Sequence, residues 1–261
     1  MRGDSHVVGG LLVQDKLKLP LIILYLMIKP SFVSALIIYV IYDSLMTTPT
    51  RVGAVLADYD HGNDSAPNII REPWSGMLMR FLKAVGATHR SVHTHNVDLN
   101  IILFGTPPLI FLSLFMNTRE DLFYILFLYL LGYTIGMLSH QFLDMLTVMG
   151  VNTSFFRTMI KKGKFTSESE FRKYQYRNAT RIIPHRRTMY EMEPIYIGKM
   201  KTFLARPVPT RIPQDEWYKT GGGWENEIVR RMMVERFKST STKKKLIDIV
   251  IILLIFYTLT S

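Results

Sequence analysis

Residues Leu122–Leu138, LFYILFLYLLGYTIGML, run without a charge straight into Ser139-His140-Gln141-Phe142-Leu143-Asp144. An uncharged apolar run of this length approaches the roughly 20 residues that cross a hydrocarbon core. In a helix His140 and Asp144 lie on one face, one turn apart, where both can reach one ion or one hydrogen-bonded partner. The stretch therefore reads as a transmembrane helix that carries a His/Asp pair at its C-terminal end. Ionisable groups so close to hydrocarbon are costly and by default functional.

The run just before it, Ile101–Met116, is equally free of charge, and Asn117–Asp121 marks a turn between the two. The pair predicts a membrane hairpin over Asp98–Met149. Its entry and exit then lie on the same membrane face. Two shorter apolar blocks, Leu19–Ile28 and Phe32–Ile41, have Lys16, Lys18, Lys29 and Pro30 before or between them, which suggests half-spanning or tilted helices. A last block, Leu246–Leu259, is interrupted only by Asp248 and preceded by Lys243–Lys245, and reads as a C-terminal anchor. No secretory leader is expected, because Met1–His6 is polar and no small-residue cleavage site follows the first apolar run. Pro49 predicts the start of a separate short helix through Val52, Val55 and Leu56 that ends at Asp58. His61–Pro73 reads as a loop, and Met77, Leu78, Phe81, Leu82 and Val85 have helical spacing.

The net charge of +11 is concentrated in residues 157–245, which hold 22 Lys and Arg against nine Asp and Glu. Arg157, Lys161, Lys162 and Lys164 directly follow the hairpin, so the positive-inside rule predicts that this end faces the cytoplasm. The same charge would suit anionic headgroups, an acidic protein or a nucleic acid. The expected architecture is an all-α, polytopic membrane bundle over residues 1–156, a basic cytoplasmic segment over 157–245, and a C-terminal transmembrane helix over 246–261.

Six of the seven histidines fall within the first 140 residues, and there is no cysteine. A thiolate zinc knuckle is excluded, whereas imidazole with carboxylate suits zinc, manganese or iron. Asp58, Asp60 and His61 follow one apolar block. His89, His93 and His95 crowd the entry of the hairpin, on the same face as His140 and Asp144 at its exit.

Four blocks in order resemble the LexA-binding, YdjM-type family of inner-membrane-associated metal-dependent hydrolases. They are His6-Val7-Val8-Gly9, Gly53–His61 with its Asp58-Tyr59-Asp60-His61 core, His89–His95, and Gly136–Thr147 with Gly150-Val151 beyond. The likeness covers about residues 1–156. Ala57 stands where that family has proline, Asn96 stands where it has serine, and the third block carries one extra residue. The resemblance implies a divalent metal, zinc first with manganese or iron as alternatives, held by residues drawn from His6, Asp60, His61, His89, His95, His140 and Asp144. His95 preserves the family's Thr-His step and is preferred, with His93 as the alternative. Asp58 is then expected to act on a metal-bound water, and Arg90 to offset charge on a phosphate ester, whose oxygens its planar fork matches. The His-x-x-x-Asp pair is also similar to that of zinc-dependent phospholipases C and related nucleases, which makes a phosphodiester or phospholipid the expected substrate. The alternative expectation is an anchored interaction protein with a structural ion and a basic tail that recruits an acidic partner. His185, between Pro184 and Arg186, reads as a solvated surface residue.

Overall fold

The computed structural model describes residues 3–56, 95–145, 151, 164–166, 170–171, 174, 179, 188–197, 200–209 and 222–261. Its helices are α1 (Gly3–Ile28), α2 (Phe32–Leu56), α3 (Val97–Thr118), α4 (Asp121–Met145), α5 (Gly222–Ser239) and α6 (Thr242–Thr260). A two-stranded antiparallel hairpin, β1 (Thr188–Ile197) with β2 (Met200–Pro209), lies in the basic segment, in register from Thr188 opposite Pro209 to Ile197 opposite Met200. Every other regular element among the described residues is helical. Among the described residues three helices, α2, α3 and α4, are long and apolar enough to cross a membrane.

Helix α2 differs from the sequence expectation in two respects. The Phe32–Ile41 block, expected as a half-spanning or tilted helix, is the start of a 25-residue helix, and Pro49 lies inside that helix instead of opening a new one. Proline cannot donate to the carbonyl four residues back, but apolar helices tolerate it where neighbouring helices pack tightly on the site. Here Gly132 of α4 supplies the notch: a Cβ on Gly132 would sit 2.8 Å from Pro49 Cγ.

The α3–α4 hairpin turns as expected. Arg119 takes a left-handed conformation (φ 58°) and its N–H donates to the Phe115 carbonyl at 2.7 Å, closing α3. Within α3, Ile101–Gly105 is wound as a π-helix just before Pro107 and Pro108. Pro108 has no N–H to offer Phe104, and the hydroxyl of Thr134 in α4 donates to that orphaned carbonyl. A break in one helix thus becomes a tie to the next.

The helices alternate in direction. Lys18 of α1 pairs with Asp43 of α2 at 2.8 Å, and Gln14, one turn nearer the start of α1, donates to Thr47 at 3.4 Å. The N-terminus of α1, the C-termini of α2 and α4, and the entry of α3 therefore share one end of the bundle. At the other end Asp121 accepts from the Tyr25 hydroxyl at 2.7 Å and from Lys29 at 2.8 Å. Tyr25, Phe115 and Tyr124 pack ring against ring there, at centroid distances of 4.9–5.4 Å. Small residues set the α2–α4 spacing. A Cβ on Gly53 would overlap the Tyr133 carbonyl oxygen, and one on Gly136 would overlap the Thr50 carbonyl oxygen. Close approach through glycine is how helices associate where lipid removes the hydrophobic drive.

The C-terminal helices pack back on this body. Arg236 of α5 pairs with Asp15 at 3.0 Å. In α6, Asp248 accepts from Tyr39 at 3.3 Å and bonds Lys244, and Phe256 packs on Phe32 at 5.7 Å.

Candidate metal centre

Four donors converge at the shared end. His140 and Asp144 extend from one face of α4, His6 comes from the second turn of α1, and His95 comes from the approach to α3. All four are at most 2% exposed, so bulk water does not reach them.

Each is placed by local packing. Gly9 and Gly10 let α1 close on α4: a Cβ on Gly9 would meet Leu143 Cδ1 at 2.7 Å, and one on Gly10 would meet Ser139 Oγ at 3.0 Å. That approach brings His6 alongside His140, with ring centroids 3.8 Å apart and planes inclined by 22°. The His95 segment is tied to α4 by Gln141, whose side-chain amide donates to the Asn96 carbonyl at 3.2 Å. On α2, the Ala54 carbonyl oxygen lies 2.7 Å from His140 Nδ1. A carbonyl only accepts, so Nδ1 carries the proton and the Nε2 lone pair points into the cluster.

The separations there are nearly uniform. His140 Nε2 is 3.3 Å from His95 Nε2 and 3.5 Å from Asp144 Oδ2, and His95 Nε2 is 3.4 Å from the same oxygen. His6 Nε2 lies 3.5 Å from the other oxygen, Oδ1. Donors about 2.0–2.1 Å from a tetrahedral zinc ion are separated by about 3.3–3.4 Å. His95, His140 and Asp144 thus form one face of such a polyhedron, and His6, His140 and Asp144 also present one ligand atom each, all within 4.8 Å of one another. The donor chemistry fits as well: imidazole nitrogens and a carboxylate suit a borderline divalent ion, whose charge offsets that of a carboxylate buried at the end of an apolar helix. A backbone carbonyl on the far nitrogen of a ligand histidine is the usual outer-sphere arrangement that fixes its tautomer. The cluster could therefore hold a divalent metal ion.

Among the residues expected at the site, His6, His95, His140 and Asp144 are brought together. Asp58, Asp60, His61, His89, Arg90 and the alternative His93 lie outside the described residues, as do the 61–73 loop, the Met77–Val85 stretch and His185. Three contributors were not singled out from sequence: the Ala54 carbonyl, Gln141, and the Gly9-Gly10 step. Only the glycine pair had a visible signal, two adjacent small residues one turn from a histidine in an apolar helix. No protein-family model, curated protein or solved structure matches the chain.

Proposed function

We propose that this chain is a membrane-embedded, metal-dependent hydrolase, with a divalent ion held by His95, His140 and Asp144 and with His6 beside them. The observation that carries the reading is the triangle of His95 Nε2, His140 Nε2 and Asp144 Oδ2, with edges of 3.3–3.5 Å, buried at the end of apolar helices. Three protein ligands on one face match the pattern of catalytic zinc, where the fourth position takes water or substrate. Such an ion would lower the pKa of a bound water toward neutrality. The protein's part is to hold the donors, fix the His140 tautomer through Ala54, and keep bulk water out.

The substrate class we propose is a phosphodiester or phospholipid. Its support is the order of histidine and aspartate blocks that resembles membrane metal-dependent hydrolases, with Arg90 in the third block suited to phosphate oxygens. Asp58 is the proposed proton acceptor, and Asp60, His61 and His89 are proposed further ligands. The proposed location is the inner membrane, with the site and the basic segment cytoplasmic and α6 as a C-terminal anchor. Arg157–Lys164, the first basic cluster in the sequence after α4, support that orientation.

The test is turnover of zinc- or manganese-loaded protein on a panel of phosphodiesters and phospholipids. Arg90→Ala should keep its metal and lose turnover, whereas Asp144→Asn should lose both. Absence of hydrolysis by the loaded wild type, with X-ray absorption showing only protein ligands, would replace this reading with an anchored interaction protein that carries a structural ion.

A further inference from the structure

Helix α5 turns one face to the body and one face out. The inner face carries Met232, whose sulfur lies 3.6 Å from where a Cβ on Gly9 would sit, and Arg236, which pairs with Asp15. The outer face carries Arg230, Met233, Val234, Phe237 and Lys238, spaced i, i+3, i+4, i+7 and i+8, all exposed. Phe237 is 78% exposed and Met233 57%. Large apolar side chains beside cations on a helix surface suit a headgroup–acyl boundary, where the apolar part enters the acyl region and the charge stays at the phosphates. Between Arg230 and Lys245 there are seven Lys and Arg against one acid, Glu235, which is bonded to Lys238 at 2.6 Å; two of the seven, Arg236 and Lys244, are paired with Asp15 and Asp248.

Depth along the bundle agrees. Met232 lies against Gly9 and Arg236 against Asp15, so α5 follows the half of α1 nearest the metal cluster. From there α6 continues to the opposite end, where Phe256 meets Phe32. At 1.5 Å per residue, Lys245 to Thr260 spans roughly 22 Å, most of a hydrocarbon core of about 30 Å. With the Phe256 end at one headgroup layer, the Lys238–Lys245 junction falls near the other. The outer face of α6 stays apolar over that length, through Val250, Leu254 and Tyr257.

We infer that the last turn of α5 and the first turn of α6 form a docking surface for an anionic lipid headgroup layer. Phe237 enters the acyl boundary while Lys238, Lys243 and Lys245 engage lipid phosphates. The inference rests on the reading that α2–α4 cross a bilayer.

The chain has no cysteine, so single cysteines can be labelled cleanly. Full-length Phe237→Cys, Leu254→Cys and Ile110→Cys would be spin-labelled and reconstituted in phosphatidylcholine vesicles with and without phosphatidylglycerol. Depth is read from relative accessibility to oxygen and to a water-soluble nickel chelate. Ile110 and Leu254 should be deep in both lipids. Phe237 should lie shallow, about 5–10 Å into the headgroup–acyl boundary, and move deeper when phosphatidylglycerol is present. Adding Lys238→Glu, Lys243→Glu and Lys245→Glu should abolish that shift. A wet Phe237, or one with the same depth in both lipids, while Ile110 stays deep overturns the inference alone and redirects α5 to a protein or nucleic-acid partner. A wet Ile110 overturns the membrane reading with it.

Discussion

His140 Nδ1 and the Ala54 carbonyl oxygen, 86 residues apart in sequence, lie 2.7 Å from one another across the α2–α4 contact. One nitrogen of a buried imidazole is thereby committed to a backbone acceptor, and the other is left to point at Asp144 and His95. The contact exists because glycines let the two helices approach. Metal affinity and helix packing should therefore be coupled in this protein.

Asp144→Asn and His140→Ala should each reduce bound metal to background, measured by elemental analysis of protein purified in detergent without added metal. Gln141→Leu, which removes only the bond to the Asn96 carbonyl, should weaken binding by about 10–100-fold, as changes one step out from the ligands do. Competition with a chromophoric chelator reads the difference.

Gly136→Ala should cost about 1–3 kcal/mol of stability by overpacking, because a Cβ there would overlap the Thr50 carbonyl. It should also lower metal affinity, since spreading α2 from α4 lengthens the His140–Ala54 bond. Thermal unfolding with and without added zinc separates the two effects. If metal affinity held at the wild-type value while stability fell, the coupling would be absent.

Removing the metal should destabilise the site end of the bundle more than the far end. A ligand present at 100 times its Kd stabilises the folded state by about 2.7 kcal/mol, so treatment with a chelator should lower the unfolding temperature by several degrees. Hydrogen exchange should rise at the start of α1 and the end of α4, while residues around Tyr25 and Asp121 stay protected. Readdition of zinc should restore both.

Lys18 bridges α1 and α2, pairing with Asp43 at 2.8 Å and sitting 4.2 Å above the Tyr39 ring. Asp43 is 43% exposed on its side chain, which limits the pair to a coupling of about 1 kcal/mol. Lys18→Met should cost that coupling plus about 0.5–1 kcal/mol of cation–π attraction. Combining it with Asp43→Asn should recover the ion-pair part only, measured as a double-mutant cycle in detergent.

Arg236→Ala should free α5 from α1, because it leaves Asp15 buried without its cation. Faster hydrogen exchange across Gly222–Ser239, with α6 unchanged, is the expected readout.

What could be read from the chain alone was local. An uncharged apolar run, a turn at Asn117–Asp121 and a four-residue spacing between His140 and Asp144 are properties of a short window, so the α3–α4 hairpin and the shared face of that pair were legible. So was the placement of His95 on the same end as His140, because a hairpin returns to where it entered. Pro49 misled for the same reason: within its own window it opens a helix, and only Gly132, far along the chain, makes the notch that keeps α2 continuous. Tertiary structure alone decided that His6 stacks on His140, that a backbone oxygen of Ala54 sets the imidazole tautomer, and that Arg236 returns across 221 residues to Asp15. These depend on which helix faces meet and how closely. Small residues on different helices settle that together, and no one stretch of sequence contains it.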